Sequence, residues 1–459
     1  MATAAIVLAA GMGTRFKSQT PKVLHRVAGR SLLGHVLDAV HGLDVAQVIV
    51  VVGHGADEVR SEVAAAGLAN ATTALQAQQN GTGHAVQMAL PALDAGIDDV
   101  IILAGDTPLV TTATLAPLTS GAPGSAAVLT AVLDDPQGYG RIVRDGGSVA
   151  RIVEHRDASP EELAITEWNT GMYRLPLAQL REAVAALGTS NDQGELYLTD
   201  VIADLHARGI EVAGLQVDAA EVVGVNDRVQ LAEAGAALRR RHAEHLMREG
   251  ATIVDPSACW LDVTVTVGID SVILPGTILE GATTIGARAT VGPNSHLVDT
   301  SVADGAVVRQ SVAQGATIGP DANVGPWTYL RPGAVLERGA KAGGFVEIKK
   351  SVIGEGSKVP HLSYIGDATI GKDVNIGAGT ITCNYDGFDK HKTIIGDGAF
   401  IGSDTMLIAP VEIGAGAVTG AGSALSHDVP ADALGVERNK QKNVEGWAQR
   451  QRDRNAPTD

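Results

Sequence analysis

The sequence predicts an α/β protein in two parts: a mainly parallel, doubly wound sheet, followed by a parallel β-helix of hexapeptide repeats. Two observations carry this expectation. Apolar runs with strand character alternate with helical segments up to residue 226, and aliphatic residues then recur at every sixth position through much of the second half. The chain has 459 residues, which leaves room for two or more domains.

The first-domain elements are read in chain order. Strands are expected over 4–10, 47–52, 100–103 and 126–132, with helices such as 31–40 and 83–93 between them. Ligands on such sheets sit at the carboxyl ends of the strands. Residues 1–226 are therefore read as one domain and 227–250 as a long connecting helix. Leu231, Ala234, Leu238 and Leu246 fall near one face of that helix, and Arg239-Arg240-Arg241 lies on the other side, read as a solvated face.

Residues 251–459 form the hexapeptide domain, with repeats to about 428 and a polar tail, 450–459 especially, expected to be disordered. The six-residue beat runs through Val267, Ile273, Leu279, Ile285, Val291 and Leu297. It returns at Ile318, Val324, Leu330 and Leu336, at Ile370 and Ile376, and at Ile395, Ile401, Leu407 and Ile413. Neither a helix nor a simple strand repeats at six; a β-helix does, with one aliphatic side chain inward per short strand and small residues at the corners. Between Ile376 and Ile395 the beat is lost, so Thr380-Ile381-Thr382-Cys383-Asn384-Tyr385-Asp386-Gly387 is read as a loop on a binding face.

Net charge is −17, from 35 basic against 52 acidic residues, which argues against a general nucleic-acid or membrane binder. Any phosphate site must then be locally basic. The two cysteines, Cys259 and Cys383, make no metal-ligand spacing and no disulfide framework, as expected of a reducing cytoplasm. No apolar run reaches the ~18 residues of a membrane-spanning helix. The apolar start lacks a basic leader and runs into a glycine turn, so it is read as a buried strand rather than a signal peptide.

That turn, Leu8-Ala9-Ala10-Gly11-Met12-Gly13-Thr14-Arg15, is followed by Lys22. Glycines let backbone N–H groups approach phosphate oxygens, and the two cations add charge. It is neither a Walker A loop nor a dinucleotide fingerprint, since no Gly-Lys-Ser/Thr follows and Phe16 stands where the third glycine belongs. Asp106 ends an apolar strand, where a carboxylate suits Mg²⁺ held against a triphosphate, although it could equally cap a turn. Asn226 could add an oxygen ligand, while Asn226-Asp227 could simply cap the following helix.

In the second half, Arg331 and Lys349 lie one coil apart and are expected to stack as a phosphate clamp. His361 on the next coil is the candidate general base, beside Tyr364 and the Asn384-Tyr385 loop. Cys383 has no evident partner base and is read as packing.

The first half resembles the sugar-1-phosphate nucleotidylyltransferases. Joined to a hexapeptide domain, it is similar to the family of bifunctional N-acetylglucosamine-1-phosphate uridylyltransferase/glucosamine-1-phosphate N-acetyltransferases. The motifs are Leu-Ala-Ala-Gly-x-Gly-Thr-Arg, Pro21-Lys22-Val23-Leu24, Gln76 with Gly81-Thr82-Gly83-His84-Ala85, Ala104-Gly105-Asp106, Gly138-Tyr139-Gly140-Arg141, Val153-Glu154-His155, Asn169-Thr170-Gly171 and Gly224-Val225-Asn226. The match covers about residues 4–448; Asn80 departs from the leucine usual before Gly81.

The resemblance implies a Rossmann-like nucleotidyltransferase domain, a linker helix and a left-handed β-helix, assembled as a homotrimer with an acetyltransferase pocket between chains. It implies no nucleic-acid or membrane partner. Leu8, Ala9, Ala10 and Gly11 would line the nucleotide site, and Arg15 and Lys22 would neutralise UTP. Gln76 and Gly81 would read the uracil. Thr82, Gly140, Glu154 and Asn169 would hold the sugar of N-acetylglucosamine-1-phosphate, and Asp106 and Asn226 would coordinate Mg²⁺. In the second site Arg331, Lys349, Tyr364 and Asn375 would bind glucosamine-1-phosphate, with His361 as base. Ala378, Asn384, Tyr385, Ser403, Ala421 and Arg438 would take acetyl-CoA. Glu437 puts a carboxylate beside Arg438, where it is expected to weaken a CoA contact. The competing expectations are a nucleotidylyltransferase whose β-helix only drives oligomerisation, and a non-catalytic trimeric scaffold.

Overall fold

Nine strands form the first sheet of the computed structural model, which describes residues 2–122 and 124–455. In chain order they are β1 (Ala2–Leu8), β2 (Gln47–Val52), β3 (Ala71–Leu75), β4 (Ile97–Ala104), β5 (Ala126–Val132), β6 (Arg141–Asp145), β7 (Ser148–Val153), β8 (Glu167–Pro176) and β9 (Val212–Gln216). Their order across the sheet is β3-β2-β1-β4-β8-β5-β9-β7-β6. The chain divides into two compact units, Met1–Arg241 and His242–Asp459.

In the first unit β1 is parallel to β2 and β4, β2 to β3, and β9 to β5. Every residue of β2 is buried, as expected of a strand covered on both faces. Alternation divides the core: Ile6, Ile49 and Ile102 pack on one side of the sheet, Val7, Val50 and Leu103 on the other. The expected doubly wound pattern breaks at β8, which runs antiparallel between β4 and β5, and at the antiparallel β6–β7 hairpin. A parallel connection needs a crossover of a dozen or so residues, usually a helix. The Asp145-Gly146-Gly147-Ser148 turn, with Gly146 at φ 60°, reverses the chain instead.

Boundaries differ slightly from expectation. β1 stops at Leu8, so Ala9 and Ala10 already belong to the loop, and the helix expected at 83–93 is Thr82–Ala89 followed by a 3-10 turn. The long helix is Arg228–Arg248, with Ala234, Leu238, Ala243 and Leu246 buried. Its basic run is not simply solvated. Arg241 is half-buried, donates to the Leu109 carbonyl at 3.0 Å and lies 3.8 Å from Glu221.

The second unit is a three-faced prism of eleven, ten and nine parallel strands. On the second face Leu279, Leu297, Ala313, Leu330, Ile348 and Ile365 stack inward, each fully buried. Coil length explains where the beat fails. Leu279 pairs with Leu297, but Leu297 pairs with Ala313 and Val302 with Ile318, so coils there are shorter than three full hexapeptides. The insert lengthens one coil, so that Ile370 pairs with Ile395.

Corners are not built from small residues alone. Trp327, Phe345 and Leu362 take left-handed φ of 55°, 58° and 50°, and all three are exposed. Such conformations in bulky residues point to function. In the polar tail, Trp447–Arg454 form a helix where disorder is expected, and residues 456–459 lie outside the described residues. Among the described residues no helix is long and apolar enough to cross a membrane.

Ile348 lies inward between Glu347 and Lys349. Ile348→Ala is expected to lower stability by about 2–5 kcal/mol, as cavity-forming core truncations do. Urea unfolding followed by circular dichroism measures it.

Candidate functional site

A cleft of about 640 Å³ opens at the carboxyl ends of β1 and β4. Leu8, Ala9, Ala10, Gly11, Arg15, Lys22, Gln76, Gly81, Thr82, Asp106, Gly140, Glu154 and Asn169 all line it. Among the described residues the N–H groups of Gly11, Met12 and Gly13 have no protein acceptor, which leaves them free for an anion. Gly13 sits at φ 59°, and a Cβ there would collide with the Lys22 side chain, so glycine is what lets Lys22 reach the turn.

Charge converges on one point. The Lys22 ammonium pairs with the Asp106 carboxylate and donates to Asn226 Oδ1 at 2.8 Å. Arg15 Nη2 donates to the same Oδ1, also at 2.8 Å. Asn226 does not line the cleft but is brought to it by these bonds. Capping is left to Asp227, whose Oδ1 accepts from the N–H groups of Val229 and Gln230 at 2.9 and 2.8 Å. Asp106 and Asn226 thus place two hard oxygen donors around one cation, here an ammonium. That donor set fits Mg²⁺ with further ligands from phosphate and water.

Behind the cleft, buried polar side chains hold one another. Gln76 Nε2 lies 3.0 Å from the Gly81 carbonyl and 3.1 Å from His84 Nδ1. Asn169 donates through Nδ2 to Tyr173 Oη at 2.7 Å and accepts at Oδ1 from Gly171 N–H at 3.1 Å. Burial pushes the Tyr173 phenol well up; it also raises the Tyr139 phenol, and Asp106 adds to that rise. Burial likewise raises the Glu154 carboxyl. A 3.2 Å hydrogen bond from Thr199 Oγ1 opposes the rise, while Asp157 and Asp200 add to it. The buried Arg141 donates through Nη1 to the carbonyls of Pro136 and Tyr139, at 2.7 and 2.5 Å, and so fixes the loop carrying Gly140.

Sequence reasoning missed Tyr173, Thr199 and the positioning roles of Arg141 and His84. The last two stand inside quoted motifs, but nothing in a motif shows what a side chain turns toward. Tyr173 and Thr199 carry no local signal.

In the prism, Leu330 pairs with Ile348, which sets Arg331 above Lys349 as the spacing predicts. Each cation has an acidic partner that was not foreseen. Arg331 Nη1 lies 2.9 Å from Glu347, and Lys349 Nζ lies 3.7 Å from Asp367. Asp367 also accepts from Asn384 Nδ2 at 2.5 Å. Lys390 of the insert meets the Lys349 side chain, and that contact, with the like charge it brings, lowers the Lys390 ammonium. Tyr364 pairs with Glu347 on the same face, while Asn375 lies on the first face, paired with Lys358.

His361 begins a ridge along one edge. The Gly379 N–H bonds the His361 carbonyl at 3.4 Å, Asp404 N–H the Ala378 carbonyl at 2.6 Å and Gly422 N–H the Ser403 carbonyl at 2.8 Å. Arg438 Nη1 then donates to the Ala421 carbonyl at 2.6 Å. Histidine, Ala378, Ser403, Ala421 and Arg438 therefore descend one edge, coil after coil. Among the described residues no ion pair joins Glu437 to Arg438; Glu437 N–H bonds Ser423 Oγ instead, at 3.2 Å. The insert is ordered by Asp386, which accepts from Phe388 N–H, Asp389 N–H and His391 at 2.7–2.8 Å, and these bonds pull its carboxyl well down. Tyr385 stays exposed. Cys383 is half-buried, and burial pushes its thiol up, as suits packing rather than nucleophilic attack.

Residues 5–208 match the family model of the MobA-like NTP transferase domain, and 392–427 that of the bacterial transferase hexapeptide (six repeats). The chain is 52 % identical over 450 residues to the bifunctional protein GlmU of Heliobacterium modesticaldum, covering 96 % of this chain and 97 % of that protein. It is 50 % identical to the protein of the same name from Corynebacterium efficiens, covering 100 % and 96 %, and 51 % identical to that of Streptomyces coelicolor, covering 98 % and 94 %.

A raised carboxyl takes stability away as pH rises past the ordinary carboxylate value, with the full loss above the raised one. Glu154→Gln is therefore expected to raise the thermal midpoint at pH 7.5, with the gain vanishing near pH 4. Scanning calorimetry at the two pH values checks this.

Proposed function

The chain belongs to the family of bifunctional GlmU proteins, and from that premise we infer how its residues divide two reactions. The protein is a bifunctional enzyme of UDP-N-acetylglucosamine biosynthesis, a uridylyltransferase and an acetyltransferase on one chain. Glucosamine-1-phosphate is acetylated from acetyl-CoA, and the product receives UMP from UTP with release of pyrophosphate. We assign the second step to the N-terminal cleft and the first to the prism.

In the cleft a phosphate oxygen of N-acetylglucosamine-1-phosphate attacks the α-phosphorus of UTP in line, and pyrophosphate leaves. Little covalent chemistry is asked of the protein, so positioning and charge carry the rate. Arg15, Lys22 and the N–H groups of Gly11–Gly13 neutralise the triphosphate above Leu8, Ala9 and Ala10. Gln76 and Gly81 take the uracil, while Thr82, Gly140, Glu154 and Asn169 take the sugar. Asp106 and Asn226 would hold Mg²⁺, which when bound compensates the charge on the pyrophosphate oxygens. The convergence of Asp106 and Asn226 on one ammonium carries this assignment.

On the prism, Arg331, Lys349, Tyr364 and Asn375 take the phosphate and hydroxyls of glucosamine-1-phosphate. His361 removes the proton as the amine nitrogen attacks the thioester carbonyl, and the CoA thiol leaves. Ala378, Asn384, Tyr385, Ser403, Ala421 and Arg438 accommodate acetyl-CoA, and a backbone N–H near Ala378 stabilises the oxyanion. The ridge from His361 to Arg438 supports this reading, since a pure spacer needs no such edge.

The working form is a homotrimer of prisms, with the acetyl-transfer pocket completed by a second copy. Exposed Trp327, stacked at 5.2 Å on exposed Phe345, and exposed Leu362 beside His361 support it, because such apolar side chains gain from a partner surface. Two free cysteines and the nucleotide and CoA co-substrates support a cytoplasmic setting.

Two outcomes separate the sites. His361→Ala is expected to abolish thiol release from acetyl-CoA and to leave UDP-sugar formation intact; equal loss of both sinks the two-site model. Chelation with EDTA is expected to do the reverse, stopping pyrophosphate release while acetyl transfer continues, as read by a thiol reagent.

A further inference from the structure

We propose that His84 is a specificity-determining positioning residue, which sets the hydrogen-bonding polarity of Gln76 and so makes the cleft accept uracil and reject cytosine. This rests on the reading of Gln76 and Gly81 as the base-binding pair.

Gln76 is only 3 % exposed, so its polar atoms need partners. Its Nε2 lies 3.0 Å from the Gly81 carbonyl oxygen, which can only accept. That contact fixes which end of the amide is nitrogen. The same Nε2 lies 3.1 Å from His84 Nδ1. Since Nε2 donates, Nδ1 must accept, and the imidazole carries its proton on Nε2. Both protons of the Gln76 amide are then spent, one on Gly81 and one on His84. The hydrogen-bonding capacity left to the amide is the Oε1 acceptor, which has no protein partner among the described residues.

Gly81 supplies the complement. It is held at φ 102°, where an added Cβ would collide with the backbone of Leu196, and among the described residues its N–H has no protein acceptor. The pair therefore offers one donor and one acceptor. Uracil carries an acceptor at O4 beside a donor at N3–H and matches it. Cytosine carries the N4 amine, a donor, beside an unprotonated N3, an acceptor, and opposes it at both positions.

Gly81 alone restrains only one proton of the Gln76 amide. Without an acceptor at His84 Nδ1, the Gly81 carbonyl alone opposes a half-turn of the amide, which would exchange Oε1 for Nε2 and offer cytosine N3 a donor. A site discriminates between bases to the extent that its polar groups cannot re-aim, and His84 removes that freedom.

The test is steady-state kinetics of the full-length enzyme with N-acetylglucosamine-1-phosphate and either UTP or CTP. His84→Leu and His84→Phe both remove the acceptor, so the result does not hang on the folding of one variant. Each is expected to lower the UTP-over-CTP ratio of kcat/KM by about five- to tenfold, the worth of one buried hydrogen bond. The loss is expected in KM for UTP, with kcat at saturating UTP within about twofold, because the base is remote from the reacting phosphorus. His84→Asn keeps an acceptor near the position of Nδ1 and is expected to restore the ratio. A ratio unchanged in the leucine and phenylalanine variants overturns the proposal, as does an asparagine variant no better than they are. A wild-type enzyme that uses CTP as well as UTP overturns the assignment of Gln76 and Gly81 itself, and this inference with it.

Discussion

Parallel stacking of backbone on backbone is the constraint from which the rest of the structure follows. In the prism each strand hands its N–H groups to the next coil and sets one aliphatic side chain against that of the same coil, as Leu330 does on Ile348 and Ile348 on Ile365. A slip of one residue would turn every inward side chain outward, so the register is fixed. Once it is fixed, outward residues have no freedom either. Arg331 must lie above Lys349, and the corner carbonyls of His361, Ala378 and Ser403 must follow one another down one edge. The first unit uses the same rule more loosely. Parallel β1 and β4 end side by side, and the glycine turn and Asp106 follow from that.

An acidic chain that handles phosphates has to keep its few cations in place before a ligand arrives. Each cation assigned here to a phosphate is held by an oxygen: Lys22 by Asp106 and Asn226, Arg15 by Asn226, Arg331 by Glu347 and Lys349 by Asp367. These pairs are not equivalent. Arg331 and Glu347 are each 39 % exposed, so their attraction is weak and an arriving phosphate can replace it at little cost. Lys349 is 13 % exposed and has Lys390 nearby, so it carries concentrated positive charge in a drier place. The prism therefore offers one adaptable cation and one fixed one.

The sequence made the architecture legible because periodicity reports burial directly. The beat at Leu279, Leu297 and Leu330 marks the prism core, and the apolar run at 47–52 marks a strand covered on both faces. The beat faded between Leu297 and Ile318 because coils there shorten, and a six-residue template cannot follow a shorter rung. The sheet's direction at β8 was not legible, since an antiparallel strand buried on both faces has the same composition as a parallel one. Of the candidate site in the first unit, the residues that line the cleft were readable through motifs. The residues that orient them were not. Glu347 and Asp367 look like ordinary surface acids, and Tyr173 like an ordinary core aromatic.

Those aiming residues share one physical logic. A buried amide or guanidinium can donate and accept in several directions, and an uncommitted group recognises nothing in particular. In the cleft much of the surplus is used up by the protein. Asn169 is clamped at Nδ2 by Tyr173 and at Oδ1 by Gly171, and Nη1 of the Arg141 guanidinium is committed to the carbonyls of Pro136 and Tyr139. Each such bond contributes little to stability on its own. Its larger effect is to leave the ligand-facing atoms with a single remaining valence of known sign. A ligand of the wrong sign then meets an unpaired buried polar group, which costs more than the right ligand gains. On the assignment proposed above, selectivity in this cleft arises less from the groups that point at the ligand than from the neighbours that have already committed much of what those groups could offer.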